Sequence, residues 1–216
     1  MVPGTLSDHY ELEAAKTKIR LFTKFLTACP LTRYEAWVAY KQYFLPSILY
    51  GSVITSFSRK QCVQLHAMLI PRLLQKLGYK STFPRELVFA PKSSGGLGIV
   101  DFSVGIAQAK ILCIIRHVRA NTSIGNLFLI ALRWAQIQAG TSRHILTTNR
   151  PMPHVESDWF SQLRSVLWTI NGAIWIKKSW RQKPQRDNDI FLMDFILNQN
   201  LTDKEIRELN YCRLYM

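Results

Sequence analysis

The sequence has no Cys-x-x-Cys pair, no adjacent Asp-Asp, no uninterrupted apolar run of 18 residues, and few acids. Each absence excludes something. Cys29, Cys62, Cys113 and Cys212 stand far apart in 216 residues, which argues against a disulfide framework and for a reducing compartment. The longest apolar stretches, Ile111–Ile115 and Leu127–Leu132, run straight into Arg116 and Arg133, so no segment reads as a transmembrane helix. Residues 1–15 carry Asp8, Glu11 and Glu13 and no base, unlike a signal or transit peptide. The expected location is intracellular, nucleus or cytoplasm, and not secreted. Ten glycines and nine prolines against a hydrophobic fraction of 48% predict a packed core rather than bulk disorder.

What the chain has in excess is positive charge. It holds 28 Lys+Arg against 14 Asp+Glu, a net +14, with a pI near 9.9. Such a field attracts polyanions, meaning nucleic acid or an anionic surface, and disfavours cationic substrates. The charge is uneven: residues 1–15 sum to −3, residues 16–150 to +16 and residues 151–216 to +1. Between 16 and 150 the only acids are Glu35, Glu86 and Asp101. The step falls in the polar loop Gly140–Pro153 and marks an expected sub-domain boundary.

Periodicity predicts a mainly α protein. Ser7–Ala28 reads as an amphipathic helix, with Ala15, Ile19, Phe22 and Leu26 on one face and Lys16, Arg20 and Lys24 recurring at four on another. Like charges at that spacing repel, so a polyanion contact would relieve a cost; the alternative is a solvated face. Thr32-x-x-Glu35 and Ser58-x-x-Gln61 are capping boxes that open the next two helices, the second running through Lys76 to a stop at Gly78. Tyr34, Trp37, Tyr40 and Tyr43 form an aromatic stripe, expected to be core more than a stacking platform. Pro46 should kink or break that helix. The glycines and prolines of Thr82–Asp101 predict a small β-hairpin near residues 85–100, turning around Lys92–Gly96. Phe102–Arg119 and Ile124–Ala139 are helical again, the second with Leu127, Ile130 and Trp134 in period. A helix over 156–170, a basic linker Trp175–Arg186, a short helix Asp189–Leu197 and a last one capped by Thr202-x-x-Glu205 complete the chain.

Catalytic signatures are scarce. Gly95-Gly96-x-Gly98 lacks the spacing and the βαβ context of a phosphate loop and reads as a tight turn. Cys62-x-x-x-His66 and Cys113-x-x-x-His117 each place a thiol and an imidazole on one helical face; convergence would make a Cys₂His₂ zinc site, whereas separate burial would make two core pairs. Asp187-x-Asp189 follows a run of bases and reads as a helix cap rather than a metal pair, with Asp187 or Asn188 the expected N-cap. No catalytic residue, cofactor or metal is assigned. Trp175 to Arg186 holds five bases and no acid in twelve residues, with Trp175 and Trp180 interleaved, a composition suited to phosphates and bases; the alternative is a solvated loop anchored by its indoles.

Several segments in order carry a resemblance: Tyr43-Phe-Leu-Pro46-x-x-x-Tyr50, Lys76-Leu-Gly-Tyr79, Phe83-Pro84-Arg85-x-Leu-Val-Phe-x-Pro91-Lys92-x-x-Gly95-Gly96-Leu97-Gly98-Ile99, Arg116-His117 and Asn210-x-Cys212-Arg213-Leu214-Tyr215. From about Tyr10 to Met216 the chain resembles the region after the palm in reverse transcriptases of non-LTR, LINE-like retrotransposons. The resemblance implies a thumb-like helical region at 1–80, a connector at 81–150 and a post-thumb linker at 151–216. It implies a partner in RNA or an RNA–DNA duplex, gripped through its phosphates. The family's catalytic aromatic-x-Asp-Asp motif is missing, so the chain reads as an inactive, truncated piece without the other polymerase domains. The candidate nucleic-acid contacts are Lys16, Arg20, Lys24, Arg72, Lys76, Arg85, Lys92, Lys177, Lys178 and Arg181. The competing readings are a helical protein-interaction or structural module and, with less support, a peripheral membrane binder; no membrane partner is expected.

Overall fold

A computed structural model describes residues 7–55, 57–148, 150–156, 158–177, 180–184 and 186–215. It divides into two compact units, residues 1–111 and 112–216. The charge step near residue 150 is therefore a change of composition inside the second unit, and residue 80 falls inside the first.

The first unit is built on a pair of long helices, α1 (Ser7–Ala28) and α4 (Arg59–Lys76). Ala15, Ile19 and Leu26 from α1 meet Leu65, Leu69, Leu73 and Leu74 from α4 in one core. The two capping boxes form as expected. Thr32 accepts from the Glu35 N–H while Glu35 accepts from the Thr32 N–H, and Ser58 and Gln61 do the same.

Between them the chain stays helical from Arg33 to Ser52, as α2 (Arg33–Val38), a π-helical turn (Ala39–Phe44) and α3 (Leu45–Ser52). Pro46 does not break it. The backbone absorbs the missing donor by widening ahead of the proline, where Leu45 N–H reaches back to the Tyr40 carbonyl. The aromatic stripe does not stay on one face either. Each three-residue step falls about 60° short of a turn, so its ends diverge. Tyr40 is fully buried, Trp37 half-buried, and Tyr34 and Tyr43 are about three-quarters exposed, at 76% and 74%. The Tyr40 hydroxyl accepts from the Val100 N–H at 3.1 Å, and burial pushes its pKa up to about 12.

The expected β-hairpin is absent; no strand pairs occur among the described residues. Pro84 instead starts a short helix, α5 (Arg85–Phe89), followed by a 3₁₀ turn (Lys92–Ser94) and an irregular return. The return segment satisfies the carbonyls that α5 leaves open: Leu97 N–H donates to Leu87, Ile99 N–H to Val88 and Gly98 N–H to Ala90. A helix end capped by an irregular return segment thus takes the place of a two-stranded ladder. The close approach needs Gly96, where a Cβ would fall 2.2 Å from the Ala90 carbonyl oxygen.

α6 (Phe102–Arg119) runs across the division between the units. In the second unit its last turns pack against α7 (Ser123–Ala139), where a Cβ on Gly125 would sit 2.3 Å from the His117 carbonyl oxygen. α7 buries Gly125, Leu132, Ala135, Gln136 and Ala139 and leaves Leu127, Ile130 and Trp134 exposed. Its apolar period is present, but the face that packs is the one that lets backbones approach. Gln136 donates to the carbonyls of Thr141 and Arg143 and accepts from the Ile145 N–H, which folds the following loop onto the helix. α8 (Asp158–Thr169), α9 (Leu192–Ile196) and α10 (Asp203–Tyr215) follow, α10 behind the expected Thr202–Glu205 box. α9 is shorter than expected and its N-cap is Phe191 rather than Asp187 or Asn188, while the Asp189 carboxylate accepts from the Arg186 N–H in a turn ahead of it.

Candidate nucleic-acid interface

Two basic side chains of the first unit meet over Trp37. Helical spacing places Lys41 one turn on from it, with its ammonium 5.3 Å from the ring centroid. The 3₁₀ turn after α5 brings Lys92 over the same ring at 4.1 Å. Each cation gains from the indole quadrupole, and each is repelled by the other. Partial burial, and then the neighbouring Lys92, hold the Lys41 pKa below its ordinary value. Two ammoniums converge on one ring with no carboxylate within ion-pair reach among the described residues. Lys92 is one of the expected contacts. Lys41 is not among them, although its position four residues after a tryptophan is an available signal.

The expected stripe on α1 forms only in part. Lys16 pairs with Glu13 at 2.7 Å, which holds the Glu13 carboxyl below its usual range. Arg20 and Lys24 are exposed and meet no carboxylate among the described residues. On α4, Arg72 is exposed beside Gln75. Lys76 is structural, since its ammonium donates to the Cys29 carbonyl at 2.6 Å and ties the end of α4 to the end of α1. Arg85, exposed at the start of α5, lines a cleft of about 420 Å³ with Arg59, His66, Glu86 and Asp101.

Lys177 and Arg181 belong to the second unit. The Arg181 guanidinium lies 5.2 Å from the exposed Trp175 ring, and Arg133 lies 5.0 Å from that of Trp180. The indoles of this segment are thus already faced by guanidiniums. Lys177 lines an apolar cleft with Trp175 and Arg119. Lys178 lies outside the described residues.

The Cys–His pairs are each absorbed locally. The His66 Nε2 accepts from the Phe102 N–H at 3.0 Å and its ring stacks on Phe102 at 4.5 Å. Burial pushes the neighbouring Cys62 thiol up to about 12, a protonated, unreactive state. His117 Nδ1 bonds the Thr122 hydroxyl at 3.0 Å. Among the described residues no three His, Cys, Asp or Glu side chains gather as a metal site. The Gly95–Gly98 turn offers no phosphate cradle, because its amides are bonded to carbonyls from Leu87 to Lys92. Among the described residues no helix is long and apolar enough to cross a membrane.

Comparison with protein-family models, with curated proteins and with solved structures returns no match to this chain.

Proposed function

We propose that residues 1–111 act as a non-catalytic grip on nucleic-acid phosphates inside the cell, comparable to the thumb and connector of a non-LTR reverse transcriptase holding RNA or an RNA–DNA duplex. The observation that carries this reading is the Lys41–Trp37–Lys92 cluster. Two ammoniums held on one ring repel each other in the free protein, and a phosphate between them removes that repulsion. Arg20, Lys24 and Arg72, all exposed, extend the positive surface on α1 and α4. The ordered resemblance of the sequence supports the same reading, and the missing Asp-Asp pair makes it one of binding rather than polymerisation.

Fluorescence anisotropy with a labelled RNA–DNA hybrid tests it. Phosphate contacts release counterions, so log affinity falls linearly with log salt. Reversing the charges of Arg20 and Lys24 weakens binding about equally for unrelated sequences. Affinity that is indifferent to salt between low and physiological concentration refutes the grip.

A second reading has its own observation. Ile124, Leu127, Ile130 and Trp134 are exposed along α7, at 46%, 64%, 64% and 58%. An apolar helical face of this kind suits a protein partner. Substituting Leu127 and Ile130 with serine leaves hybrid binding intact if the grip is the function. It abolishes self-association or partner binding if the interaction module is.

A further inference from the structure

The second unit holds a cavity of about 380 Å³ into which three arginines converge: Arg150, Arg164 and Arg207. Their placement follows from helical spacing. Ser161, Arg164 and Trp168 recur at three and four along α8 and share one face. Arg207 stands one turn after Asp203 on α10. Two of the guanidiniums are anchored through backbone carbonyls. Arg164 Nη2 donates to the Arg150 carbonyl, and Arg207 Nε donates to the Pro153 carbonyl at 3.0 Å. Neither anchor neutralises charge. The Arg164 Nε is buried with no hydrogen-bond partner. None of the three is within ion-pair distance of a carboxylate among the described residues.

Acids that neighbour the lining residues in sequence are otherwise engaged: the Glu156 carboxylate accepts from the Gln138 amide at 3.5 Å. Glu205 accepts from Thr202 in the capping box, and Glu208 pairs with Lys204 at 3.8 Å. Among the described residues Asp203 is the one carboxylate in the lining, and it sits in the first turn of α10, where the helix N-terminus favours a carboxylate. Three cations against one carboxylate leave a site that is short of about two negative charges, the charge of a phosphate monoester. Ser161 and Trp168 line the same cavity, and Trp168 is 60% exposed. Guanidiniums match phosphate oxygens in pairs, and an exposed indole offers a face to a base. The volume suits a ligand of mononucleotide size.

We propose that this cavity binds a nucleoside 5′-monophosphate, free or at the 5′ end of a single strand, with the phosphate on Arg150, Arg164 and Arg207 and the base against Trp168. The site is built from residues of the second unit only, and the proposal does not depend on the grip in residues 1–111.

Isothermal titration of the full chain with AMP, adenosine and inorganic phosphate tests the proposal. AMP is expected to bind one to one, with adenosine at least about tenfold weaker and inorganic phosphate competing. Arg150→Gln removes a side chain that makes no hydrogen bond among the described residues; it is expected to weaken AMP about tenfold without changing the melting temperature. Arg164→Gln should weaken AMP at least as much but also lower the melting temperature, because it gives up the Arg150 carbonyl, so Arg150→Gln is the variant that isolates binding; Lys41→Ala with Lys92→Ala should leave AMP binding unchanged. No heat with AMP into the millimolar range overturns the proposal. So does equal binding of adenosine, or AMP affinity untouched by both arginine variants. Tighter binding of a 5′-phosphorylated strand than of its 5′-hydroxyl counterpart supports the chain-end form; parity of the two strands with AMP binding retained supports the free nucleotide. Loss of hybrid binding alone in the lysine variant leaves this site standing, and loss of AMP binding alone in Arg150→Gln leaves the grip standing.

Discussion

Residues 1–111 carry nine lysines and five arginines, whereas residues 112–216 carry four lysines and ten arginines. The two cations are not interchangeable, because a lysine is a strongly hydrated point charge and an arginine is a fork of donors that suits fixed geometry. Three arginines of the second unit are used in that way. Arginines of the second unit hold backbone carbonyls: Arg164 that of Arg150, Arg207 that of Pro153, and Arg213 those of Ile137 and Gln138 at the end of α7. In the first unit Arg20, Lys24 and Lys92 are exposed and bond no carbonyl among the described residues, while Lys18 and Lys76 do. Net charge alone would treat the two units as alike. The distinction is between charge that has been built into the fold and charge that faces solvent.

Removing one fold-building arginine is expected to have the largest effect. Arg213→Ala deletes a guanidinium that also bonds the Asn210 side chain, and it leaves the α7 carbonyls without their donor. Urea denaturation should show a loss of about 3 kcal/mol. Arg20→Ala, on the exposed face of α1, should change stability by less than about 0.5 kcal/mol. Comparable losses from both would erase the distinction.

Acid should separate the units next. His144 is buried at 2% exposure, its Nδ1 accepts from the Leu146 N–H, and its Nε2 has no partner. Burial, then the charge of Arg181, pushes its pKa down to about 4 from the ordinary 6.5. The unfolded chain therefore takes up this proton more readily than the folded one. Stability is complete above about pH 6.5 and declines as the pH falls toward 4, by about 2 kcal/mol at pH 5. Burial lowers His154 in the same unit as well, so its effect has the same sign. The first unit has His66, whose burial is partly offset by Asp101. Hydrogen exchange at pH 5 should therefore show residues 112–216 opening before residues 1–111. Simultaneous opening would contradict this account.

A smaller contrast concerns the thiols. Cys62 is buried and its pKa is pushed up to about 12, whereas Cys212 is exposed on α10. A maleimide at pH 8 should label Cys212 in the native protein and reach Cys62 only on denaturation. Native labelling of Cys62 would mean that the first unit opens readily.

Much of the helical frame is legible in the sequence, because caps and periods are local. The boundaries of α1 and α6 and the capping boxes at Thr32, Ser58 and Thr202 follow from spacing within one or two turns. The features that escape such reading depend on contacts made at a distance. Lys76 looks like a surface base until α1 ends beside it, 47 residues earlier in the chain. The segment 85–100 has strand-like composition, yet Pro84 starts a helix whose open carbonyls the return segment then caps. The packing face of α7 is set by Gly125 and Gln136 rather than by Leu127 and Ile130, because close backbone approach and a buried amide network decide it. Of the candidate site, Lys92 can be named from sequence, but its pairing with Lys41 on Trp37 requires the turn after α5 to fold back. The three arginines around the Trp168 cavity lie 14 and 43 residues apart in sequence, beyond any local pattern.

The most direct test of the grip is the salt dependence of hybrid binding, measured side by side for the unaltered chain and for Lys41→Ala with Lys92→Ala. For the unaltered chain log affinity should fall linearly with log salt, and in the variant the slope should be shallower by about 1 to 2 with the melting temperature unchanged. Identical slopes would contradict the grip, since the two ammoniums on Trp37 would then meet no phosphate.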